Sequence, residues 1–123
     1  MKMPDHTAES RLATYGTLAP GRANHHQVEE LAGSWCVGAV RGRLVEAGWG
    51  AAMGYPGLIL EETGGEIEVH VLESHDLPDH WARLDAFEGS GYERVSVTVI
   101  CQGGEVMASI YVIAGQHQGN GVE

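Results

Sequence analysis

Glu88 follows Leu84 by four residues, near the end of an apolar stripe formed by Leu77, Trp81, Leu84 and then Phe87 or Glu88. A carboxylate that faces a core is costly when ionised. Burial there raises its pKa toward the range of a proton shuttle. Position alone allows a second orientation, with Glu88 one residue past the helix and pointing to water. A second candidate is Tyr15-Gly16-Thr17-Leu18, which ends an apolar run before Ala19-Pro20-Gly21. Successive backbone N–H groups at such a turn can form an anion-binding nest, and Gly16 permits close approach. An ordinary strand end fits the same residues. No Gly-Lys-Ser/Thr follows, so this is not a phosphate loop.

Other chemistries have less support. His25 and His26 are adjacent, and adjacent side chains do not converge on a helix or strand. His75 and His80 straddle a helix start. No HExxH or Cys/His set exists, so neither a metal site nor a cofactor is expected. No G-x-S-x-G elbow offers a serine nucleophile. Cys36 and Cys101 sit in apolar runs without C-x-x-C spacing and are expected to be buried free thiols.

The elements that must position these residues are mostly strands. Leu12 to Leu18 reads as a strand and turn, and Asn24 as the cap of a short helical turn through Leu31. Trp35 to Glu46 alternates as a strand, with Gly38 and Gly42 marking bends or a bulge. Leu58–Glu62 and Glu66–Leu72 flank Thr63-Gly64-Gly65, a hairpin signal. A helix is expected from Pro78 to about Phe87, capped by Asp76 or Ser74 and stopped by Gly89-Ser90-Gly91.

A final hairpin joins Val95–Cys101 to Val106–Ile113. A two-residue turn at Gly103-Gly104 would set Cys101 opposite Val106 and Ser96 opposite Tyr111. One face of this hairpin is dry and branched: Val95, Val97, Val99, Cys101, Val106, Ala108, Ile110 and Val112. The other carries Arg94, Ser96, Thr98, Ser109 and Tyr111, which suit either solvent or a pocket. Strands, one helix, then strands give an α+β class: a small curled mixed sheet or barrel-like core with one main helix packed on it. Residues 11–114 form a single domain in this reading, with tails at 1–10 and 115–123.

The charge balance narrows the partners. Seven Lys+Arg against 17 Asp+Glu leave a net charge of −10, which disfavours nucleic acid and anionic membranes. No stretch approaches the ~20 apolar residues of a membrane span. The N-terminus lacks the apolar core of a signal peptide, so a cytoplasmic protein is expected.

The order of motifs is specific. Tyr15-Gly16-Thr17-Leu18 is followed by Gly42-Arg43-Leu44 and Gly54-Tyr55-Pro56-Gly57-Leu58. Leu84-Asp85-Ala86-Phe87-Glu88-Gly89 then leads to Tyr92-Glu93-Arg94. The pattern, from about Leu12 to Ile113, resembles the gamma-glutamylcyclotransferase-like superfamily, nearest its small bacterial and AIG2-like branch. The resemblance implies a barrel-like α/β fold with a cavity. It implies that Tyr15, Gly16, Thr17 and Leu18 hold substrate through their backbone and that Glu88 is the general acid/base. Tyr92 and Tyr111 match aromatic positions near that cavity. Arg94 matches the motif without an assigned role, as does Asn24-His25-His26.

The implied reaction is internal aminolysis of a γ-glutamyl amide. The substrate's α-amine closes a 5-oxoproline ring on the γ-carbonyl and expels an amine or amino acid. The nucleophile is tethered, so no activated serine or metal-bound water is needed. One carboxyl of raised pKa can take the proton from the amine and return it to the leaving nitrogen. The loop donors could meet the α-carboxylate or the developing oxyanion. A non-catalytic small-molecule-binding module on the same fold is the alternative. Gly48 to Tyr55, with Trp49 as lid or packing residue, is expected to edge the leaving-group region.

Overall fold

A computed structural model describes residues 8–16, 18–22, 24–45, 57–89 and 91–113. Among these, the strands are β1 (Arg11–Thr14), β2 (Ser34–Val45), β3 (Gly57–Leu60), β4 (Gly65–Glu73), β5 (Tyr92–Cys101) and β6 (Gly104–Ile113). The helix α1 spans Trp81–Glu88, preceded by a 3₁₀ turn at Leu77–Asp79. The sheet order is β3-β2-β4-β1-β6-β5, and β2 also pairs with β5. That pairing closes β2, β4, β1, β6 and β5 into a five-stranded barrel, with β3 beside β2. The β1–β6 pair is parallel and the others antiparallel, so the sheet is mixed, as expected.

Closure depends on Gly38, which lies opposite Cys101. A Cβ at Gly38 would stand 2.6 Å from Val99 Cγ1 and 2.9 Å from the Ile100 carbonyl oxygen. Only a residue without a side chain lets β2 and β5 approach this closely.

The barrel interior is dry. Ala13, Val40, Leu58, Val69, Val71, Val99, Ala108, Ile110 and Val112 form one buried cluster. It contains the branched face expected of the last hairpin. A second cluster lies outside the barrel wall, where Leu12, Leu72 and Tyr111 meet Leu77, Trp81 and Leu84 of the helical segment. The expected stripe therefore faces the barrel.

Several local expectations change. The segments flanking Thr63-Gly64-Gly65 do not form a hairpin. β3 and β4 each pair antiparallel with β2, on its two sides, so they run parallel to one another. A tight reverse turn cannot join parallel strands. Gly42 stands opposite both Leu60 and Gly65, and the glycine-rich stretch carries the chain from one side of β2 to the other.

The last turn is Gln102-Gly103, with Cys101 opposite Gly104 and Ser96 opposite Ser109. The positive φ falls on Gly104 (+132°), a conformation glycine adopts without the strain a side chain would bring. The register moves by two residues, so every side chain keeps its expected face. Tyr111 therefore pairs with Arg94 rather than Ser96.

The helix starts later than expected, because His80 N–H bonds back to the Leu77 carbonyl in a 3₁₀ turn. Neither Ser74 nor Asp76 caps α1. Asp76 Oδ2 accepts from Ala32 N–H at 3.0 Å instead, and Ser74 Oγ accepts from Asp76 N–H. Cys36 is exposed rather than buried, because it lies past the point where β5 ends.

The last three residues of the expected N-terminal tail, Ala8–Ser10, form a 3₁₀ turn held to the fold. The Ala8 carbonyl accepts from Ser109 Oγ and the Glu9 carbonyl from Trp81 Nε1. Of the polar hairpin face, Ser109 and Tyr111 are buried beneath this turn and the helix, whereas Ser96 and Thr98 remain in solvent.

Candidate active site

Glu88 is the last residue of α1, inside the helix rather than beyond it. Gly89 stops the helix at φ +86°, a conformation that disfavours any side chain, and its N–H bonds to the Asp85 carbonyl. The orientation left open by sequence position is thereby decided: Glu88 is half-buried. Burial, and then the nearby Asp85 charge, push its carboxyl from 4.5 up to about 7.

Three of the expected tyrosines share its electrostatic field. Burial holds the hydroxyls of Tyr15, Tyr92 and Tyr111 above the ordinary tyrosine range; Asp85 adds the next effect at Tyr111 and Tyr92 at Tyr15, and the Glu88 charge contributes at all three. Tyr15 Oη donates to the Tyr111 carbonyl at 2.8 Å. This bond ties the first residue of the YGTL loop to β6. Tyr92 opens β5, directly after the helix stop. Gly57 brings β3 against this corner: a Cβ there would stand 2.5 Å from Ile113 Cγ1 and 3.8 Å from Tyr92 Cε1.

The Tyr15–Leu18 loop begins where β1 ends, at Thr14. Gly16 N–H donates to Thr14 Oγ1 at 3.3 Å, so one of the expected backbone donors has an internal partner at long range. A Cβ built at Gly16 meets no described atom within 4 Å, so packing does not demand a glycine there. Leu18 is buried, and its carbonyl accepts from His25 Nδ1 at 3.0 Å, which requires the proton on Nδ1. His25 also packs against Trp35, with ring centroids 5.5 Å apart. The Asn24-His25-His26 segment thus gains a structural role as a brace of this loop. Thr17 and residues 46–56, which include Trp49 and Tyr55, lie outside the described residues.

Asp85 lies within the Leu84-Asp85-Ala86-Phe87-Glu88-Gly89 motif, and its task is visible only in the fold. Its Oδ1 accepts from Tyr111 Oη at 2.6 Å and from Arg94 Nε at 2.8 Å, and its Oδ2 accepts from Arg94 Nη2 at 3.2 Å. These bonds, led by that from Arg94, hold the Asp85 carboxyl below its usual range. The Arg94 guanidinium lies 4.4 Å above the Trp81 ring. Asp85 and Glu88 are three residues apart, hence neighbours on the helix surface. That spacing was the available signal.

Residues 12–123 match the family described as gamma-glutamyl cyclotransferase, AIG2-like. The chain belongs to this family. Comparison with curated protein sequences finds no match. Among solved structures, YkqA from Bacillus subtilis is 30% identical with a TM-score of 0.67. The match covers 85% of this chain but only 36% of YkqA. An AIG2-like protein from Mus musculus is 24% identical, with a TM-score of 0.67 over 89% of this chain and 80% of its own. A protein from Pyrococcus horikoshii is 21% identical, with a TM-score of 0.60 over 88% and 80% of the two chains. The latter two likenesses concern the fold. The AIG2-like family assignment agrees with the barrel and single main helix described above.

Proposed function

We propose that the chain is a cyclotransferase acting on a γ-glutamyl amide, releasing 5-oxoproline and an amine or amino acid. The observation that carries this reading is the Glu88 carboxyl, half-buried at a helix end and poised at about 7. A group with that pKa exchanges protons in both directions near neutrality. In the reaction, Glu88 carboxylate takes a proton from the substrate α-ammonium. The freed amine attacks the γ-carbonyl and the ring closes. Glu88 then protonates the departing nitrogen as the C–N bond breaks, and its regenerated carboxylate takes the second proton from the ring nitrogen and passes it to the released amine, which leaves as ammonium. Backbone groups of Tyr15, Gly16, Thr17 and Leu18, with Tyr92 and Tyr111, hold the substrate. No cofactor or metal enters these steps. The proposed partner is this small molecule, not nucleic acid or membrane.

The test is a 5-oxoproline release assay over γ-glutamyl amino acids, γ-glutamyl amines such as ε-(γ-glutamyl)lysine, and glutathione. Turnover by the wild-type chain, lost in Glu88→Gln with the fold intact, is the expected outcome. Full turnover in that variant overturns the mechanism. Absence of turnover across the panel favours a binding module instead.

A further inference from the structure

The barrel seam carries a feature that the proposed reaction does not use. β2 and β5 pair at only two positions, Gly38 with Cys101 and Ala39 with Ile100. Cys36 lies two residues from Gly38 on the same strand, so its side chain shares a sheet face with that of Cys101. The Cys36 thiol is near enough to Cys101 to act on its ionisation. Both are free, Cys36 exposed and Cys101 half-buried. Both line a cavity of about 250 Å³ that also includes Arg11, Ser34 and Glu73. Strand pairing has thus brought together two thiols that are 65 residues apart in sequence (101 − 36 = 65), at the barrel's closing seam.

We propose that Cys36 and Cys101 are a thiol oxidation site, converted by a peroxide or a low-molecular-weight disulfide into an intramolecular disulfide that staples β2 to β5. With hydrogen peroxide, the exposed Cys36 sulfur attacks one peroxide oxygen. The O–O bond breaks, water leaves, and Cys36 becomes a sulfenic acid. The Cys101 sulfur then attacks the Cys36 sulfur. The S–O bond breaks, a second water leaves, and the S–S bond forms. The two thiols lose two protons and two electrons, and the peroxide is reduced to two waters. Exposure sets the order of attack. Burial, and then its neighbour Cys36, hold the Cys101 thiol above its ordinary pKa, so it serves as the resolving partner.

The experiment uses the reduced full-length chain, treated separately with hydrogen peroxide and with glutathione disulfide. The expected product has lost two hydrogen atoms by intact mass and yields a Cys36–Cys101 cross-linked peptide. Its Tm rises by about 10 °C, because the staple closes a long loop, and dithiothreitol reverses the rise. Cys101→Ser should instead accumulate a single glutathione adduct at Cys36. Two independent glutathione adducts on the wild-type chain would overturn the proposal. So would interchain disulfides in place of the internal one, or a cross-link with unchanged Tm.

Discussion

Tyr111 donates its hydroxyl to Asp85 Oδ1 at 2.6 Å, and Asp85 lies three residues before Glu88 on the same helix. The bond pins the last turn of α1 to β6, and Arg94 adds a two-pronged clamp from β5. Asp85→Asn weakens both contacts. Arg94–Asp85 is partly exposed and contributes little by itself, whereas the Tyr111 hydroxyl is largely buried. The expected loss is about 1–2 kcal/mol for Asp85→Asn and ~1 kcal/mol for Tyr111→Phe. The double variant should lose less than the sum, since one bond is counted in both. Urea unfolding of the four proteins checks this.

The Glu88 carboxyl gives stability a pH dependence of definite sign. Its folded pKa, about 7, lies above the ordinary 4.5. Below the ordinary value the group is protonated in folded and unfolded chains alike, and its contribution is fully present. As pH rises through about 7 the folded chain must carry an ionised, half-buried carboxylate, and stability falls. Glu88→Gln keeps the neutral shape throughout. The variant should match the wild type in acid and exceed it by roughly 1–2 kcal/mol above neutrality, after discounting for partial exposure. Thermal melts across the pH range read this without any substrate.

The features legible in the sequence were those set by local periodicity. The stripe of Leu77, Trp81 and Leu84 and the alternation from Val95 to Val112 each specify a face, and both faces are where they were expected. Partner choice was less legible. Thr63-Gly64-Gly65 signals a break in the chain but not that β2 lies between β3 and β4, because a turn says nothing of a strand distant in sequence. The tasks of Asp85 and His25 were hidden for the same reason. Each depends on a residue brought near by the fold, Tyr111 and Leu18 respectively. Glu88 was ambiguous by one residue at a helix end, and the left-handed Gly89 decides it.

His25 braces the substrate loop of the proposed reaction through the Leu18 carbonyl. Removing the imidazole leaves that oxygen without its donor and removes the packing on Trp35. His25→Ala should cost about 1 kcal/mol of stability. If the loop holds substrate, KM should rise several-fold with a smaller change in kcat, because the proton shuttle at Glu88 is untouched. Steady-state kinetics on the best γ-glutamyl substrate separate the two constants. A fall confined to kcat would assign the brace a different role.

Gly38→Ala tests how the barrel closes. The added methyl must displace Val99 Cγ1, 2.6 Å away, and the Ile100 backbone, 2.9 Å away. Val99 is fully buried and the backbone is held in the β5–β6 ladder, so neither yields cheaply. The expected cost is about 2–3 kcal/mol, the range for overpacking a filled core. Strain of this kind should open the seam first. Amide exchange at Ala39 and Ile100 should therefore accelerate more than exchange at Ala13, which lies in β1, the strand opposite the seam in the barrel order. Uniform acceleration at all three amides would mean that the barrel opens as one unit rather than at the seam.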